Sequence, residues 1–253
     1  MIARLGSDSI MYKHGMNVLT SGTASPKSWF LKVKTLCHQY DLPDPIRVLL
    51  SQPSKEQFKS LTNGKVLDWW NKKYRAEKLL LSSLSLFRAD FMSLSQPYPI
   101  WTTAGSSPFE VRKATVQARM LSGRYRTCWL RRHWSGDSSG NCCIPGCGGV
   151  PGTLQHLVTG ECPALSSVLD RCLALWSSVL TDNPILIPVV HQYCLGPPET
   201  FLSFLVDPTT ISEVISLSQE HGLVINEKLC YMTRTWLFLF HKERLKLLNI
   251  WTK

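Results

Sequence analysis

The chain has 253 residues, 44% of them hydrophobic and 18% charged, and its 28 Lys and Arg against 18 Asp and Glu give a formal charge of +10. This apolar content supports a folded core and excludes a disordered chain, a collagen-like repeat and a coiled-coil rod. The apolar runs are much shorter than the ~20 residues of a membrane-spanning helix, and charged residues interrupt the N-terminus where a signal peptide would be apolar. We therefore expect an intracellular protein that is not secreted and does not contact a membrane.

The spacing of apolar residues predicts a mainly helical fold, and we find no strand-like alternation. Ser54 and Gln57 form a capping-box pattern, in which each side chain can bond to the backbone N–H of the other residue, so a helix should begin there. Ser107, followed by Pro108 and Glu110, is a second pattern of a helix start. Residues 87–105 contain two prolines and a glycine, which predicts a loop. The predicted helices cover residues 28–40, 54–64, 65–81, 107–123, 163–180, 209–221 and 226–251.

Charge is segregated along the sequence. Residues 1–134 contain 21 basic and 8 acidic residues, residues 135–227 contain 1 and 9, and residues 228–253 contain 6 and 1. This distribution makes the N-terminal half the part best suited to a polyanionic partner. The densest stretch, residues 112–132, has 7 basic residues and no acidic one.

The basic residues of this stretch are mostly arginines, and aromatic residues lie between them. Guanidinium groups bind phosphates as a fork and aromatic rings stack on unpaired bases, so the combination favours RNA or single-stranded DNA as a partner. The alternative is a non-binding helical scaffold whose charges face solvent. The candidate nucleic-acid-binding residues are Arg112, Lys113, Arg119, Arg124, Tyr125, Arg126, Trp129, Arg131, Arg132 and Trp134.

Cysteines and one histidine follow this stretch among several glycines, with the residue types and the short spacing of a tetrahedral zinc site. Ligation would also stabilise a segment that has few core residues of its own. Thr153 is placed to cap a short helical turn that presents His156. The alternative is that these cysteines are reduced thiols that bind no metal. The remaining cysteines, Cys128 among them, are expected to be core residues with free thiols. The candidate ligands are Cys143, Cys147, His156 and Cys162, with Cys142 as an alternative to Cys143.

Five stretches of the sequence resemble one family when they are taken together: SPKSWFLKVKTLC, LDWWNKKYRAE, WTTAGSSPFEVRKATVQARMLSGRYRT, GTLQHLVTGECPAL and TRTWLFLFHKERLKLL. They resemble the C-terminal region of a LINE-type, Jockey-like non-LTR retrotransposon reverse transcriptase, downstream of the polymerase domain, and the likeness covers most of the chain. The resemblance implies one structural zinc ion held by a Cys-Cys-His-Cys zinc knuckle of Cys143, Cys147, His156 and Cys162. It also implies two kinds of partner: RNA or single-stranded DNA, and the rest of the element-encoded polymerase. The expected location of the protein is the nucleus and the cytoplasm.

Polymerase catalysis needs paired aspartates that hold two metal ions, and the sequence has no Asp-Asp pair and no endonuclease constellation. We therefore expect no enzyme activity from this chain. Its expected role is zinc-dependent binding of template or target in target-primed reverse transcription. An alternative is a part of an RNA-directed DNA polymerase whose catalytic carboxylates lie outside this chain.

We divide the sequence into four regions. An N-terminal segment (1–25), a remnant of the thumb or linker by the resemblance, precedes a basic helical region (26–134). An inserted zinc-knuckle loop (135–165) then separates this region from a C-terminal helical region (166–253).

Overall fold

The computed structural model describes residues 8–21, 28–81, 84–88, 97–135 and 139–248. Within these ranges the protein is mainly helical, as predicted, and no β-strand is formed. Asn141 and Pro151 make an isolated antiparallel bridge. The chain divides into two compact units, residues 1–76 and 77–253. The predicted basic region spans this boundary, whereas residues 135–165 and 166–253 belong to one unit.

The described part of the first unit is built from helices. They are α1 (Ile10–Ser21), α2 (Trp29–Gln39), α3 (Pro45–Ser51) and most of α4 (Lys55–Leu80). The predicted capping box starts α4: Ser54 N donates to Gln57 Oε1 at 3.0 Å, and Gln57 N donates to Ser54 Oγ at 3.1 Å. The predicted break at Gly64 is wrong, because α4 runs through it as one helix of 26 residues. A single interior glycine costs a helix only about 1 kcal/mol relative to alanine, which the turns on both sides outweigh.

The second unit contains the remaining described α-helices. They are α5 (Pro99–Thr102), α6 (Pro108–Leu121), α7 (Cys128–Ser135), α8 (Leu154–Val158), α9 (Ser166–Asp182), α10 (Ile187–Cys194), α11 (Pro198–Val206), α12 (Ser212–His221) and α13 (Val224–Leu247). Of the predicted loop 87–105, residues 89–96 lie outside the described residues, and α5 occupies its second half. No helix in the described ranges is by itself long and apolar enough to cross a membrane, although the bent pair Leu154–Asp182 and Pro184–Cys194 together meets that length and composition.

Helix α13 is the centre of the second unit, with α6, α9, α11 and α12 packed around it. Its Trp236 is almost completely buried, and the ring centroid lies 4.5 Å from that of Trp176 and 5.7 Å from that of Phe240. Both indole N–H groups are satisfied: Trp176 donates to the Met232 carbonyl at 3.1 Å and Trp236 to the Val158 carbonyl at 2.8 Å. The second of these bonds joins the central helix to α8, which carries His156.

Candidate metal centre and basic surface

Helix α8 presents His156 through a local sequence signal and a tertiary contact. Thr153 Oγ1 accepts a hydrogen bond from His156 N at 3.2 Å, which confirms the predicted cap. Leu157 and Val158, the next two residues, are buried in the same core as Ile144. Apolar burial on both sides therefore holds the cysteine-rich loop against the body of the second unit.

Four potential ligands converge in this loop: Cys142, Cys147, His156 and Cys162, whose ligand atoms all lie within 4.8 Å of one another. The Sγ atoms of Cys147 and Cys162 are 3.7 Å apart, and Cys147 Sγ is 3.0 Å from His156 Nε2. With Zn–S bonds of about 2.3 Å, two sulfurs on a tetrahedral zinc lie about 3.8 Å apart. The cluster thus has the size and the donor set to bind one metal ion.

Burial favours the neutral forms of Cys147, His156 and Cys162. It raises the pKa of the Cys162 thiol to about 12 and that of Cys147 above its usual range, and it lowers the pKa of His156. A divalent cation among them would favour the thiolate forms. His156 Nδ1 is buried without a hydrogen-bond partner, which is unusual for a polar atom in a protein interior. A neutral imidazole whose Nε2 lies 3.0 Å from the Cys147 sulfur, in a cluster with two further cysteines, matches a ligand better than a structural core histidine.

The first ligand of the sequence prediction is corrected from Cys143 to Cys142. The sulfur of Cys143 forms a disulfide bond with Cys128, so it is not among the four atoms that converge. This bond also corrects the prediction of a free thiol at Cys128. The disulfide bond directs the sulfur of Cys143 to Cys128, whereas the sulfur of the neighbouring Cys142 lies in the cluster.

Glycines shape the backbone between the first two ligands and beside them. Gly148, just after Cys147, has φ 78°, a left-handed conformation that strains other residues. At Gly152 an added Cβ would lie 3.0 Å from the Cα of Cys142 and 3.0 Å from the Cβ of Cys128. The loop therefore needs glycine at residue 152 to bring these two cysteines close together.

All six of the predicted phosphate-binding arginines are exposed in the second unit. Arg112 and Arg119 lie on one face of α6, seven residues and about two turns apart. Arg132 belongs to α7, where its guanidinium lies 5.9 Å from the ring centroid of Trp129, which is 37% exposed. The side chain of Trp134 lies outside the described residues. The exposed arginines are Arg112, Arg119, Arg124, Arg126, Arg131 and Arg132.

Lys113 does not belong to this surface, which corrects its predicted role. It is 4% exposed, and its Nζ donates to Glu110 Oε1 at 2.7 Å and to Thr235 Oγ1 at 3.2 Å. Glu110 also lies 3.4 Å from the Nε of buried Arg234 on α13. A buried ammonium group is tolerated only when it is paired, so these contacts make Lys113 part of the core.

Tyr125 is also buried, at 6% exposure, so its predicted stacking on a base is corrected. Its hydroxyl lies 3.0 Å from His241 Nδ1, and the guanidinium of Arg244 lies 5.4 Å from its ring centroid. These three residues line a cavity of about 670 Å³, which we call the arginine cavity. Its arginines are Arg119, Arg124, Arg126, Arg131 and Arg244.

His241 and Arg244 were not among the predicted site residues, although both lie in the basic end of the last predicted helix. Burial, and then the charges of Arg244 and Arg119, lower the pKa of His241 to about 4. The imidazole is therefore neutral at pH 7. The signal in the sequence was the charge of residues 228–253, but charge alone does not show that this end of α13 meets the turn after α6.

No known protein family, curated protein or solved structure matches the chain.

Proposed function

We propose that this protein binds single-stranded nucleic acid, RNA or DNA, through its arginine surface, and that a structural zinc ion in the Cys142, Cys147, His156 and Cys162 cluster supports that surface. The observation that carries the proposal is the concentration of arginines around one cavity. Arg119, Arg124, Arg126 and Arg244 have no carboxylate within ion-pair distance in the described part of the chain.

Unpaired guanidinium groups that are held close together repel one another, and a bound polyanion removes this cost. An ordinary solvated surface would intersperse carboxylates, as α9 and α13 do where Arg171 donates to Glu243 at 3.2 Å. The exposed Trp129 beside Arg132 adds an aromatic face on which an unpaired base can stack. This mixture favours a single strand over a duplex.

Zinc is the metal that the donor set favours, because thiolates and imidazole select it over Mg²⁺ and Ca²⁺, which prefer oxygen. Four protein ligands close a tetrahedral site and leave no position for a water molecule or a substrate. The ion would hold the loop in place and take no part in chemistry, so the proposed role is binding and not catalysis.

The metal loop is joined to the basic surface through α7. Trp129 N donates to the Gly152 carbonyl at 3.3 Å. Gly152 N in turn donates to the Gly140 carbonyl at 2.9 Å, and Cys142 N donates to the Val150 carbonyl at 2.7 Å. A zinc ion that fixes Cys142 and Cys147 would thus fix the backbone on which the start of α7 rests.

The resemblance to LINE-type reverse transcriptases supports a proposed biological role for this binding. In such an element the region downstream of the polymerase would hold template RNA or target DNA during target-primed reverse transcription. The polymerase carboxylates would lie elsewhere in the element-encoded protein.

The test is the salt dependence of the binding of a labelled single strand to the zinc-loaded chain. Six exposed arginines that each contact a phosphate predict a slope of log K against log salt near −4, from about −0.7 per contact. Arg119→Gln and Arg124→Gln should each make the slope shallower by about 0.7, whereas Arg171→Gln, an exposed arginine already paired with Glu243, should leave it unchanged. A flat salt response, or an equal effect of all three variants, would refute the proposal.

A further inference from the structure

The arginine cavity has an inner wall and a rim of different character. Arg244 is 6% exposed and forms the inner wall together with buried Tyr125. Arg119, Arg124 and Arg126 are exposed and form the rim. A strand that runs across the surface meets the rim, but only a group that enters the cavity reaches Arg244.

Arg244 is incompletely satisfied within the described residues. One terminal nitrogen donates to the Arg126 carbonyl at 2.8 Å, but the buried Nε has no hydrogen-bond partner. A buried N–H of a guanidinium group that makes no bond costs several times the net gain of an ordinary hydrogen bond. Arg244 lines the cavity, and no carboxylate in the described part of the chain pairs with it, so an anion that enters the cavity meets a guanidinium group whose charge is not neutralised.

The cavity has no carboxylate among the described residues that line it. His241, the other titratable side chain at the inner wall, is held neutral by burial and by Arg244 and Arg119. The charged side chains among the described residues that line the cavity are thus all arginines. The occupant with the best complementarity is therefore a compact group with more than one negative charge.

A phosphodiester and a phosphomonoester differ in the two properties that matter here. An internal phosphodiester carries one negative charge and two ester links, so the chain must leave on both sides. A terminal monoester carries about −1.5 to −2 at pH 7, has three strong acceptor oxygens and a single link. A volume of about 670 Å³ is also large enough for the nucleoside attached to it.

We propose that the arginine cavity receives the terminal phosphomonoester of a nucleic-acid strand together with its end nucleotide, with Arg244 as the residue that contacts the phosphate at the inner wall. This inference rests on the proposed function, since it assigns an end preference to the strand that the surface binds. Either end of a strand can supply the same chemistry, so the experiment distinguishes 5′ from 3′ phosphate.

The experiment compares labelled single strands of one sequence with a 5′-phosphate, a 3′-phosphate or hydroxyl ends, and a circular strand, on the zinc-loaded full chain. One phosphorylated strand should bind at least about tenfold more tightly than the hydroxyl-ended and circular strands. Arg244→Gln should abolish this preference while the circular strand still binds. Arg124→Gln at the exposed rim removes no buried contact, so the fold should tolerate it. It should reduce the preference, and it keeps the test valid if Arg244→Gln does not fold. Arg171→Gln should change nothing.

The outcomes separate the two proposals. Equal binding of all four strands with a steep salt slope would overturn the end preference and leave the proposed function standing, whereas no binding of any strand would overturn both. A free nucleoside monophosphate that binds as tightly as the phosphorylated strand would identify a mononucleotide site and would also overturn the proposed end recognition.

Discussion

Cys142 and Cys143 are neighbours, yet the structure gives them opposite roles, and this contrast makes a sharp prediction. Cys142 lies in the four-residue cluster, whereas Cys143 is bonded to Cys128. Cys142→Ser should therefore weaken metal binding strongly, and Cys143→Ser should leave it nearly unchanged. Both variants replace one sulfur by oxygen at adjacent positions, so each is the matched control of the other.

The expected size of the loss follows from the number of ligands. Structural zinc sites bind with about 10–16 kcal/mol, and one ligand of four accounts for roughly a quarter of this, about 2.5–4 kcal/mol. At 1.4 kcal/mol for each factor of ten, Cys142→Ser should lower the affinity by about two to three orders of magnitude.

The assay is a competition titration against a chromogenic chelator, with cobalt(II) as a second probe whose thiolate charge-transfer band reports how many sulfurs bind. The titrations are run under an inert atmosphere without a reductant, so that the Cys128–Cys143 bond stays intact in the parent chain and in Cys142→Ser. A large loss in Cys143→Ser with full affinity in Cys142→Ser would refute the assignment. Full affinity in both would show that neither thiol is needed, and would refute the four-residue cluster as the metal site.

Two further predictions concern buried contacts of α13. Trp236→Phe removes the donor to the Val158 carbonyl, which should destabilise the fold by about 2–4 kcal/mol and weaken metal binding about tenfold or more, since the helix of His156 is loosened. Trp176→Phe, whose donor bonds the Met232 carbonyl, should cost similar stability in urea unfolding but leave metal affinity intact. The pKa of His241 is about 6.5 in the unfolded chain and is lowered to about 4 in the folded protein. Between these pH values the unfolded state binds more protons, so the free energy of unfolding falls as the pH is lowered. Because His241 is partly exposed, we expect the free energy of unfolding to fall by only about 1–2 kcal/mol between pH 7 and pH 4. Urea unfolding of His241→Gln should lack this part of the pH dependence. Equal pH dependence in both proteins would contradict the burial of the imidazole.

Local signals in the sequence were sufficient for several of the helices and for part of the site. The Ser54 and Gln57 capping box and the Thr153 cap each involve residues three apart, and the structure contains both sets of bonds. The ligand types Cys147, His156 and Cys162 also follow from spacing alone. Each of these features is decided by neighbours along the chain, which a pattern can record.

The features that the sequence did not reveal depend on distant partners. Nothing near Lys113 shows that Arg234 and Thr235, more than a hundred positions away, will build a buried ionic network around Glu110. Tyr125 looked like a stacking residue because its neighbours are basic, but it is buried against His241 of α13. Tertiary packing thus buries Lys113 and Tyr125, which the sequence had predicted to be at the surface. The same packing brings Arg244 to the arginine cavity, which no motif indicated.

Helix α13 makes these distant contacts. Two of its residues, Trp236 and Arg244, have different roles at different positions along the helix. Trp236 bonds the carbonyl of α8, whereas Arg244 lines the arginine cavity eight residues later, about 12 Å along the helix axis. The aromatic contacts of Trp236 with Trp176 and Phe240 keep α13 in place through apolar burial that needs no metal. Helix α7, in contrast, rests on the backbone of Gly152 beside Cys142. A metal ion bound in the cluster would therefore order the part of the basic surface that α7 carries, while the inner wall of the cavity depends on the core alone.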